Sequence, residues 1–383
     1  EGMNISTDLN DYAFSGGGES ALIYFAIPSR FAARSIGSDG LVLAERGFAK
    51  FYTGKDGVTR EKDIWVAMSR SEVINAFETW KKKWAGTDKA LYKLATAKNK
   101  HWLEAWRSVN ALSEDFWADS YKIETPDTFA DELEESVTAG LKQAGIDEKL
   151  LYEVISPSIP TLPRQMTLDG KLRWYAQGTW NGGEILSGGS SKKLANSEEA
   201  AHLRESLRAR QQLHQEADPV LDPKTQNLVH LLRTLTLWRE ERKALLQGMN
   251  IVLNKVAKAG AKGLNTTELA IKWCRIEELE ELKKNPDNFA KRFESSALIN
   301  GYANSTSEVI TDPEAHSIIQ KFKTAKGDQE LRGMVASSGK VKGIVRVILR
   351  EHAFKRFQDG DVLVTTMTRP EFVPLLQKAQ AVL

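Results

Sequence analysis

The sequence predicts a mainly α-helical protein with a small mixed α+β part at its N-terminus and a β/α unit at its C-terminus. Three observations support this fold class. Apolar residues recur at three- and four-residue spacing through residues 71–155, and they do so again through residues 196–329. This is the period of an amphipathic helix. Short β-branched runs between glycines, typical of strands, occur near both ends of the chain.

Composition narrows the class of protein. The 383 residues are enough for two or three domains, and 53 Lys and Arg against 51 Asp and Glu leave a formal charge of +2. This balance gives no reason to expect nucleic acid or a membrane surface as a partner. The single cysteine, Cys274, excludes an internal disulfide, so we expect a cytoplasmic protein and a buried, unreactive thiol. No apolar run is long enough for us to expect a transmembrane helix.

Residues 1–70 form the small mixed segment. Within it, residues 48–52 and 64–68 have the composition of two strands, and residues 54–57 have that of the turn between them. Ser69 or Ser71 is placed to cap the helix that follows.

Residues 71–155 form a tryptophan-rich helical region. Its apolar stripe includes Phe77, Trp80 and Trp84, and Thr125 is placed to open a further helix. The ordinary interpretation of the aromatic stripe is the core of a helix bundle. The alternative is an aromatic-lined pocket for a hydrophobic substrate, and the spacing alone does not separate the two.

Residues 156–195 form a region of loops rich in proline and glycine. The run at residues 187–193 resembles a phosphate-binding loop in composition. It does not match Gly-x-x-x-x-Gly-Lys-Ser/Thr, and no apolar strand leads into it. We therefore interpret it as an ordinary loop.

Residues 196–329 form a helical linker region, in which Ser197 is among the residues predicted to start a charged helix that runs to about Glu216. Its main element is a long helix predicted at residues 227–249, with leucines on the buried side. Arg233 and the charged run 239–243 are expected on the other side as a solvated surface with salt bridges. Residues 304–313 are expected to lead towards a hinge.

Residues 330–383 form the C-terminal β/α unit. Asp361 belongs to a turn signal, and Val362–Val364 reads as a short buried strand. Residues 366–370 then fall in the loop at the carboxyl end of that strand, where α/β sheets usually bind ligands. The helix predicted next has one apolar face, made of Phe372, Leu375, Leu376 and Ala379. Thr368 and Arg369, just before it, either form an anion site or serve only as a cap and a solvated charge.

This C-terminal unit resembles the start of the swivelling phosphohistidine domain (mobile domain) of the phosphoenolpyruvate-utilising enzymes. That family includes phosphoenolpyruvate synthase, pyruvate phosphate dikinase and rifampin phosphotransferase. The resemblance rests on residues 330–348 and 360–374. In the family, a Gly-Gly-x-Thr-Ser/Cys-His-Ala-Ala-type segment follows shortly after the strand that we expect at 379–382. The resemblance therefore implies a swivelling domain truncated before its catalytic histidine, which would lie beyond Leu383.

The resemblance also implies roles for particular residues. Thr366, Thr368 and Arg369 would lie near the phosphohistidine, where their hydroxyl groups and guanidinium could meet the phosphoryl oxygens. Gly339 and Gly343 would be tight-turn residues that allow a close backbone approach. No catalytic residue is expected within the chain itself.

The function that the resemblance implies is that of a fragment of a phosphoenolpyruvate synthase-like phosphotransferase, inactive alone. The complete enzyme would use ATP and Mg²⁺. An ATP-grasp domain or subunit, and a domain that binds phosphoenolpyruvate or pyruvate, would be its partners. The alternatives are a rifampin phosphotransferase-like small-molecule kinase and a non-catalytic helical scaffold with a degenerate mobile domain.

Other catalytic classes find no support in the sequence. None of the six histidines is followed by Ala-Ala, so none is a candidate phosphocarrier. There is no His-Glu-x-x-His and no pair of cysteines, which leaves no metal-binding motif. A Ser-His-Asp hydrolase is not indicated either, since Gly-x-Ser-x-Gly is absent.

Overall fold

A computed structural model describes most of the chain and divides it into two compact units, a longer unit, Glu1–Ala325, and a C-terminal unit, Lys326–Leu383. The described residues are 11–19, 36–128, 130–160, 162–169, 192–301, 306–324, 339–348, 351–365 and 372–383. The described part is mostly α-helical with two small sheets, as the sequence predicts.

Eight strands are described. They are β1 Tyr12–Glu19, β2 Gly40–Glu45, β3 Phe48–Gly54, β4 Ser295–Gly301, β5 Thr306–Thr311, β6 Val345–Val347, β7 Val362–Val364 and β8 Ala381–Val382. The first five form an antiparallel sheet in the order β1-β3-β2-β4-β5. The last three form a parallel sheet in the order β6-β7-β8.

Fourteen of the described α-helices belong to the longer unit, and one belongs to the C-terminal unit. The first seven are α1 Lys55–Ala67, α2 Arg70–Trp84, α3 Thr87–Thr96, α4 Trp102–Thr128, α5 Ala130–Gln143, α6 Leu151–Ile155 and α7 Leu162–Leu168. The others are α8 Lys192–Ala195, α9 Glu198–Ala217, α10 Pro223–Leu264, α11 Glu268–Lys272, α12 Leu279–Lys284, α13 Pro286–Lys291, α14 Glu314–Thr324 and α15 Val373–Leu376.

The prediction of a strand at 64–68 and of a turn at 54–57 is wrong. The turn that closes the hairpin of β2 and β3 is Arg46-Gly47, whose φ angles of 48° and 77° are typical of a type I′ turn. Residues 64–67 form the end of α1, not a strand, and Met68 is its C-cap. The buried residues of α1 include Val58, Glu61 and Trp65, and this spacing follows the period of a helix.

The region predicted to be a helical linker contains two strands, β4 and β5. Strand β4 pairs with β2, and β5 occupies most of the segment expected to approach a hinge. Single-sequence patterns do not reveal pairing between residues as distant as Leu41 and Ile299. The mixed N-terminal segment and the linker region thus contribute strands to one sheet.

The antiparallel sheet is packed on both faces. Leu41 and Leu43 point to one face, where α14 covers them, whereas Val42 and Ala44 point to the helical core on the other. This alternation follows from the two-residue period of a strand. The sheet is therefore an inner layer between α14 and the helix bundle.

The long helix α10 is the centre of the bundle, in contact with α2, α3, α4, α5 and α11. It begins early because Asp222 accepts hydrogen bonds from the N–H groups of Lys224 and Thr225 and Pro223 fits the first turn. It ends at Asn265, which adopts a left-handed φ of 52°. Along the way, the predicted leucine stripe is buried.

Helix α4 continues past the expected helix start at Thr125 and ends at Thr128. The prediction that Thr125 opens a new helix is wrong, and α5 begins at Ala130. The long packing of α4 against α10 favours one continuous helix over the local capping signal. By contrast, Ser69 caps α2 and Ser197 caps α9, which confirms the other predicted helix starts.

The prediction that the charged side of α10 is solvated is wrong for its central arginines. Arg242 is only 3% exposed, and Arg233 is also buried. The Nη1 and Nη2 atoms of Arg233 donate to the two Asp218 carboxylate oxygens, both at 2.9 Å, and Nε donates to the Val154 carbonyl at 2.8 Å. Both partners of Arg233 come from outside α10. The sequence of the helix alone therefore could not indicate that this side chain is buried.

The tryptophan-rich region contributes to the core. Trp238 lies 5.7, 5.6 and 5.8 Å from the ring centroids of Trp65, Phe77 and Trp80. The Trp80 indole N–H donates to the Ser120 hydroxyl at 3.2 Å. Buried rings that contact one another in this way fit the interpretation as a bundle core.

No helix among the described residues combines the length and the apolar character that a membrane span requires.

Candidate functional site

The C-terminal unit contains a parallel sheet, and the residues of the predicted site follow its central strand in the sequence. Val345 pairs with Val362 and Val347 with Val364, while Val362 pairs with Ala381. Because the strands are parallel, their carboxyl ends lie at one edge of the sheet. The central strand, β7, ends there at Val364.

Backbone hydrogen bonds fix the carboxyl edge of this sheet. The Ile348 N–H donates to the Val364 carbonyl at 2.9 Å. On the other side, the Thr365 N–H donates to the Leu383 carbonyl at 3.0 Å, and the Leu383 N–H donates to the Leu363 carbonyl at 2.8 Å. Thr365 is thus held in place at the end of the central strand.

A small apolar core supports one face of the sheet. It comprises Ile348, Phe357, Leu363, Phe372 and Leu375. The Phe372 ring lies 4.8 Å from that of Phe354, at an interplanar angle of 69°. The predicted apolar face of the helix near the C-terminus is thereby confirmed.

Thr366, Thr368 and Arg369, the residues predicted to lie near a phosphohistidine, are outside the described residues. Their flanking residues are described. Thr365 is bonded at the end of β7, and Phe372 is buried in the small core. The roles of the three residues remain predictions.

Gly343 and Gly339 differ in their surroundings. A Cβ atom added to Gly343 would overlap the Gly360 carbonyl oxygen and would lie 3.3 Å from Val362 Cγ2. Gly360 itself has a φ of 87°, a conformation that favours glycine. A Cβ atom added to Gly339 would meet no atom within 4 Å. The close backbone approach in this unit is at Gly343.

Asp361 and Arg346 form an ion pair next to this approach. Arg346 Nε donates to Asp361 Oδ2 at 2.5 Å, and the Gln358 N–H donates to the same oxygen at 2.8 Å. Desolvation opposes ionisation of Asp361, but these hydrogen bonds outweigh it and hold the pKa of the carboxyl below its ordinary value. Asp361 is therefore a charged anchor between β6 and the turn before β7.

In the longer unit, two histidines lie in a buried polar cluster with Arg233 and Asp218 that sequence reasoning missed. Burial and the nearby arginines lower the pKa of His230 to about 4, and burial together with Arg233 lowers the pKa of His214. His214 Nε2 lies 3.3 Å from the Glu153 carbonyl oxygen. The cluster joins α6, α9 and α10, and both imidazoles are neutral at physiological pH.

Among the described residues, the other titratable groups do not form a metal or thiol site. In the part of the chain that the structure describes, no three His, Cys, Asp or Glu side chains come together in a way that could hold a metal ion. Cys274 is buried, and burial raises the pKa of its thiol to about 12. This confirms the prediction that Cys274 is a buried, unreactive residue.

Comparison with known proteins identifies short similar stretches. A probable phosphoenolpyruvate synthase of Archaeoglobus fulgidus is 43% identical over 58 residues, 15% of this chain and 8% of that protein. Phosphoenolpyruvate synthase of Aeropyrum pernix is 45% identical over 58 residues, 15% of this chain and 7% of that protein. The enzyme of Deinococcus radiodurans is 35% identical over 65 residues, 17% of this chain and 8% of that protein.

No family model matches the chain. In each of these three comparisons, the aligned stretch spans less than a tenth of the relative's length. The short similarities support a relationship with the phosphoenolpyruvate-utilising enzymes.

Proposed function

We propose that this chain is part of a phosphoenolpyruvate synthase-like phosphotransferase that relays a phosphoryl group through a histidine. The observation that carries the proposal is the set of stretches 35–45% identical to phosphoenolpyruvate synthases. In this proposal, residues 330–383 begin the phosphohistidine domain, and the histidine belongs to the segment that follows β8 in the family. The described C-terminal residues therefore contribute the support of the site, not its nucleophile.

The chemistry of phosphoryl transfer explains why the proposal needs a histidine and residues that stabilise the phosphoryl charge. A neutral imidazole is a good nucleophile near physiological pH, and its phosphoramidate can pass the phosphoryl group onward. Phosphoryl transfer depends mainly on in-line placement and on stabilisation of the phosphoryl charge. Thr366, Thr368 and Arg369 follow the carboxyl end of β7 in sequence and would supply that stabilisation. ATP and Mg²⁺ would be used by the complete enzyme.

The same proposal specifies the partners. An ATP-grasp domain or subunit would donate the phosphoryl group, and a domain that binds phosphoenolpyruvate or pyruvate would exchange it. The single buried cysteine supports a reducing compartment, so we place the protein in the cytoplasm. The near balance of charge over the whole chain favours protein partners over nucleic acid or a membrane.

A second candidate function is that of a rifampin phosphotransferase-like small-molecule kinase. The mostly helical longer unit that precedes the C-terminal unit favours it, because the domain order expected for that enzyme is an ATP-grasp domain, then a helical acceptor domain, then a phosphohistidine domain.

A third candidate is a non-catalytic scaffold with a degenerate mobile domain. The sequence that follows codon 383 separates the three. A barrel domain after the histidine segment favours the synthase, an end soon after it favours the kinase, and loss of the histidine favours the scaffold.

The test incubates the protein with labelled phosphoenolpyruvate or ATP and measures acid-labile label on histidine. We expect no label on the 383-residue chain. We expect label on the protein extended along its own reading frame, and its loss when the His-Ala-Ala histidine is replaced by Asn. Stable labelling of a histidine in the 383-residue chain would overturn the placement of the nucleophile. An extended protein that carries the histidine but takes no label from either donor would overturn the relay.

The extended protein also tests the role of Arg369. Arg369→Gln should slow labelling by about a hundredfold if its guanidinium stabilises the phosphoryl charge. Arg356→Gln, at an exposed position of the same unit, is the matched control and should label at the unaltered rate. Equal rates for the two variants would remove Arg369 from the proposed site.

A further inference from the structure

The helices of the longer unit contain two consecutive stretches of opposite charge. Residues 81–107 contain eight Lys and Arg against two Asp and Glu, a formal charge of +6. Residues 108–141 contain nine Asp and Glu against one Lys, a formal charge of −8. The whole chain carries only +2, so this separation is local.

The positive stretch contains five lysines, called the lysine stripe below, which lie on α2, on α3 and just after α3: Lys82, Lys89, Lys93, Lys98 and Lys100. All five side chains are exposed, and among the described residues none of them forms an ion pair. The macrodipole of α3 accounts for Lys93, which lies in its last turn, but not for the others of the stripe. Lys89 and Lys93 lie about one turn apart on α3, about 6 Å along its axis.

The negative stretch lies on α4 and α5. Among its members, Asp115, Glu132 and Glu135 are exposed. Glu132 is paired with Lys62, whereas Asp115 and Glu135 have no ion pair among the described residues. Their carboxylates are therefore available to a cationic partner.

The end of α3 and the acidic helix α5 lie towards opposite ends of α10, whereas Asp115 lies near the middle, two residues from Ser113, whose Oγ donates to Met249 Sδ at 3.5 Å. Lys255 Nζ donates to the Ala95 carbonyl at 2.6 Å, which places the end of α3 along the C-terminal half of α10. Gly140 of α5 packs against Thr225, in the first turn of α10. The stretches meet where Lys83 pairs with Asp119.

We propose that these surfaces bind a second copy of the chain, with the lysine stripe of one copy against the acidic stretch of the other. Two adjoining patches of opposite charge are self-complementary, because a two-fold axis near their border places each over its opposite. Such an interface is isologous, so the contact forms twice. The inference is independent of phosphoryl transfer.

Salt dependence gives the first test. The interaction should be strong at about 0.01 M salt, where the Debye length is about 30 Å, and lost at about 1 M, where it is about 3 Å. Sedimentation velocity of the 383-residue chain should therefore show a dimer at low salt and a monomer at high salt. A chain that is monomeric at both concentrations would overturn the proposal.

Charge reversal gives the decisive test. Lys89→Glu/Lys93→Glu and Asp115→Lys/Glu135→Lys should each weaken dimerisation at least about tenfold, since attraction becomes repulsion in both contacts. A mixture of the two variants should restore a dimer that contains one copy of each. The matched control, Lys50→Glu/Lys284→Glu, changes two exposed lysines elsewhere and should dimerise like the unaltered chain.

Circular dichroism checks that the variants fold normally. If they do, either of two results would overturn the proposal. The first is a mixture that remains monomeric. The second is an unaltered chain that stays monomeric at low salt but binds a single-stranded oligonucleotide, because the lysine stripe would then serve nucleic acid.

Discussion

The five-stranded sheet of the longer unit has an apolar cluster on each face, whereas the described apolar cluster of the three-stranded sheet lies on one face. In the parallel sheet, Val345 is 60% exposed and Val347 is 54% exposed, while Leu363 is fully buried. Parallel sheets are normally covered on both faces. The first sheet therefore shares a large helical core, whereas the second relies on a few apolar residues.

The largest expected effect is in the aromatic core of the longer unit. Trp238→Ala removes a buried ring that contacts three others, and it should lower the free energy of unfolding by about 4 kcal/mol. The measurement is chemical denaturation followed by circular dichroism. Tyr152→Ala, at a position 67% exposed, is the control and should change stability by less than about 0.5 kcal/mol. Equal effects would mean that the aromatic cluster does not form a core.

The next effect concerns a partly buried ion cluster of the longer unit. Glu278 is paired with Arg275 at 2.9 Å and with Arg292 at 2.8 Å. Burial opposes ionisation of Glu278, but the hydrogen bonds from Arg292 and Arg275 outweigh it and lower the pKa of Glu278 to about 2. This depression corresponds to about 3 kcal/mol of stability at neutral pH.

Since the folded-state pKa is lowered, the contribution of Glu278 is present above the ordinary Glu pKa and is lost as pH falls towards about 2. Glu278→Gln should therefore flatten the stability profile in this window and destabilise the protein at pH 7. Denaturation at a series of pH values measures both effects. Glu280→Gln removes an exposed carboxylate paired with Lys283 and should leave the profile nearly unchanged.

The two faces of the parallel sheet can be compared directly. Leu363→Ala on the packed face should destabilise the C-terminal unit by about 2.5 kcal/mol. Val347→Ala on the exposed face should change it by less than about 0.5 kcal/mol. Hydrogen exchange measured by mass spectrometry over residues 339–383 reports on this unit separately. If Val347→Ala were as damaging as Leu363→Ala, the exposed face would be covered in the folded protein.

The smallest effect is at the glycines of the C-terminal unit. Gly343→Ala should cost about 2 kcal/mol, because its Cβ would overlap the Gly360 carbonyl oxygen, which is backbone and cannot turn aside. Gly339→Ala is the matched control, with open space around the added atom. Thermal unfolding of the C-terminal unit should separate the two variants. No difference between them would show that the backbone approach at Gly343 is loose.

Local signals in the sequence predicted the helix starts at Ser69 and Ser197 and the strand at Val362–Val364. In each case the cause lies within a few residues, in a capping hydroxyl or a short apolar run. The burial of Arg233 could not be predicted in this way, because its partner carbonyl at Val154 lies in another helix. Tertiary contacts of this kind override local pattern.

In the candidate site, too, the sequence predicted the local features but not the tertiary contacts. The strand, the turn at Asp361 and the apolar face at Phe372 are local features, and the structure contains them. The pairing of Asp361 with Arg346 depends on which strands become neighbours, and sequence spacing did not indicate it. The roles of Thr366, Thr368 and Arg369 stay predictions that rest on resemblance.

The pairing of β2 with β4 has a consequence during synthesis on the ribosome. Val42 meets its partner Leu298 only after more than 250 further residues have been made. At about 5 to 20 residues per second, the apolar edge of β2 waits roughly 10 to 50 s for its neighbour. An uncovered strand edge can pair with other nascent chains during this time. The yield of folded protein should therefore depend on chaperones that bind the nascent N-terminal segment.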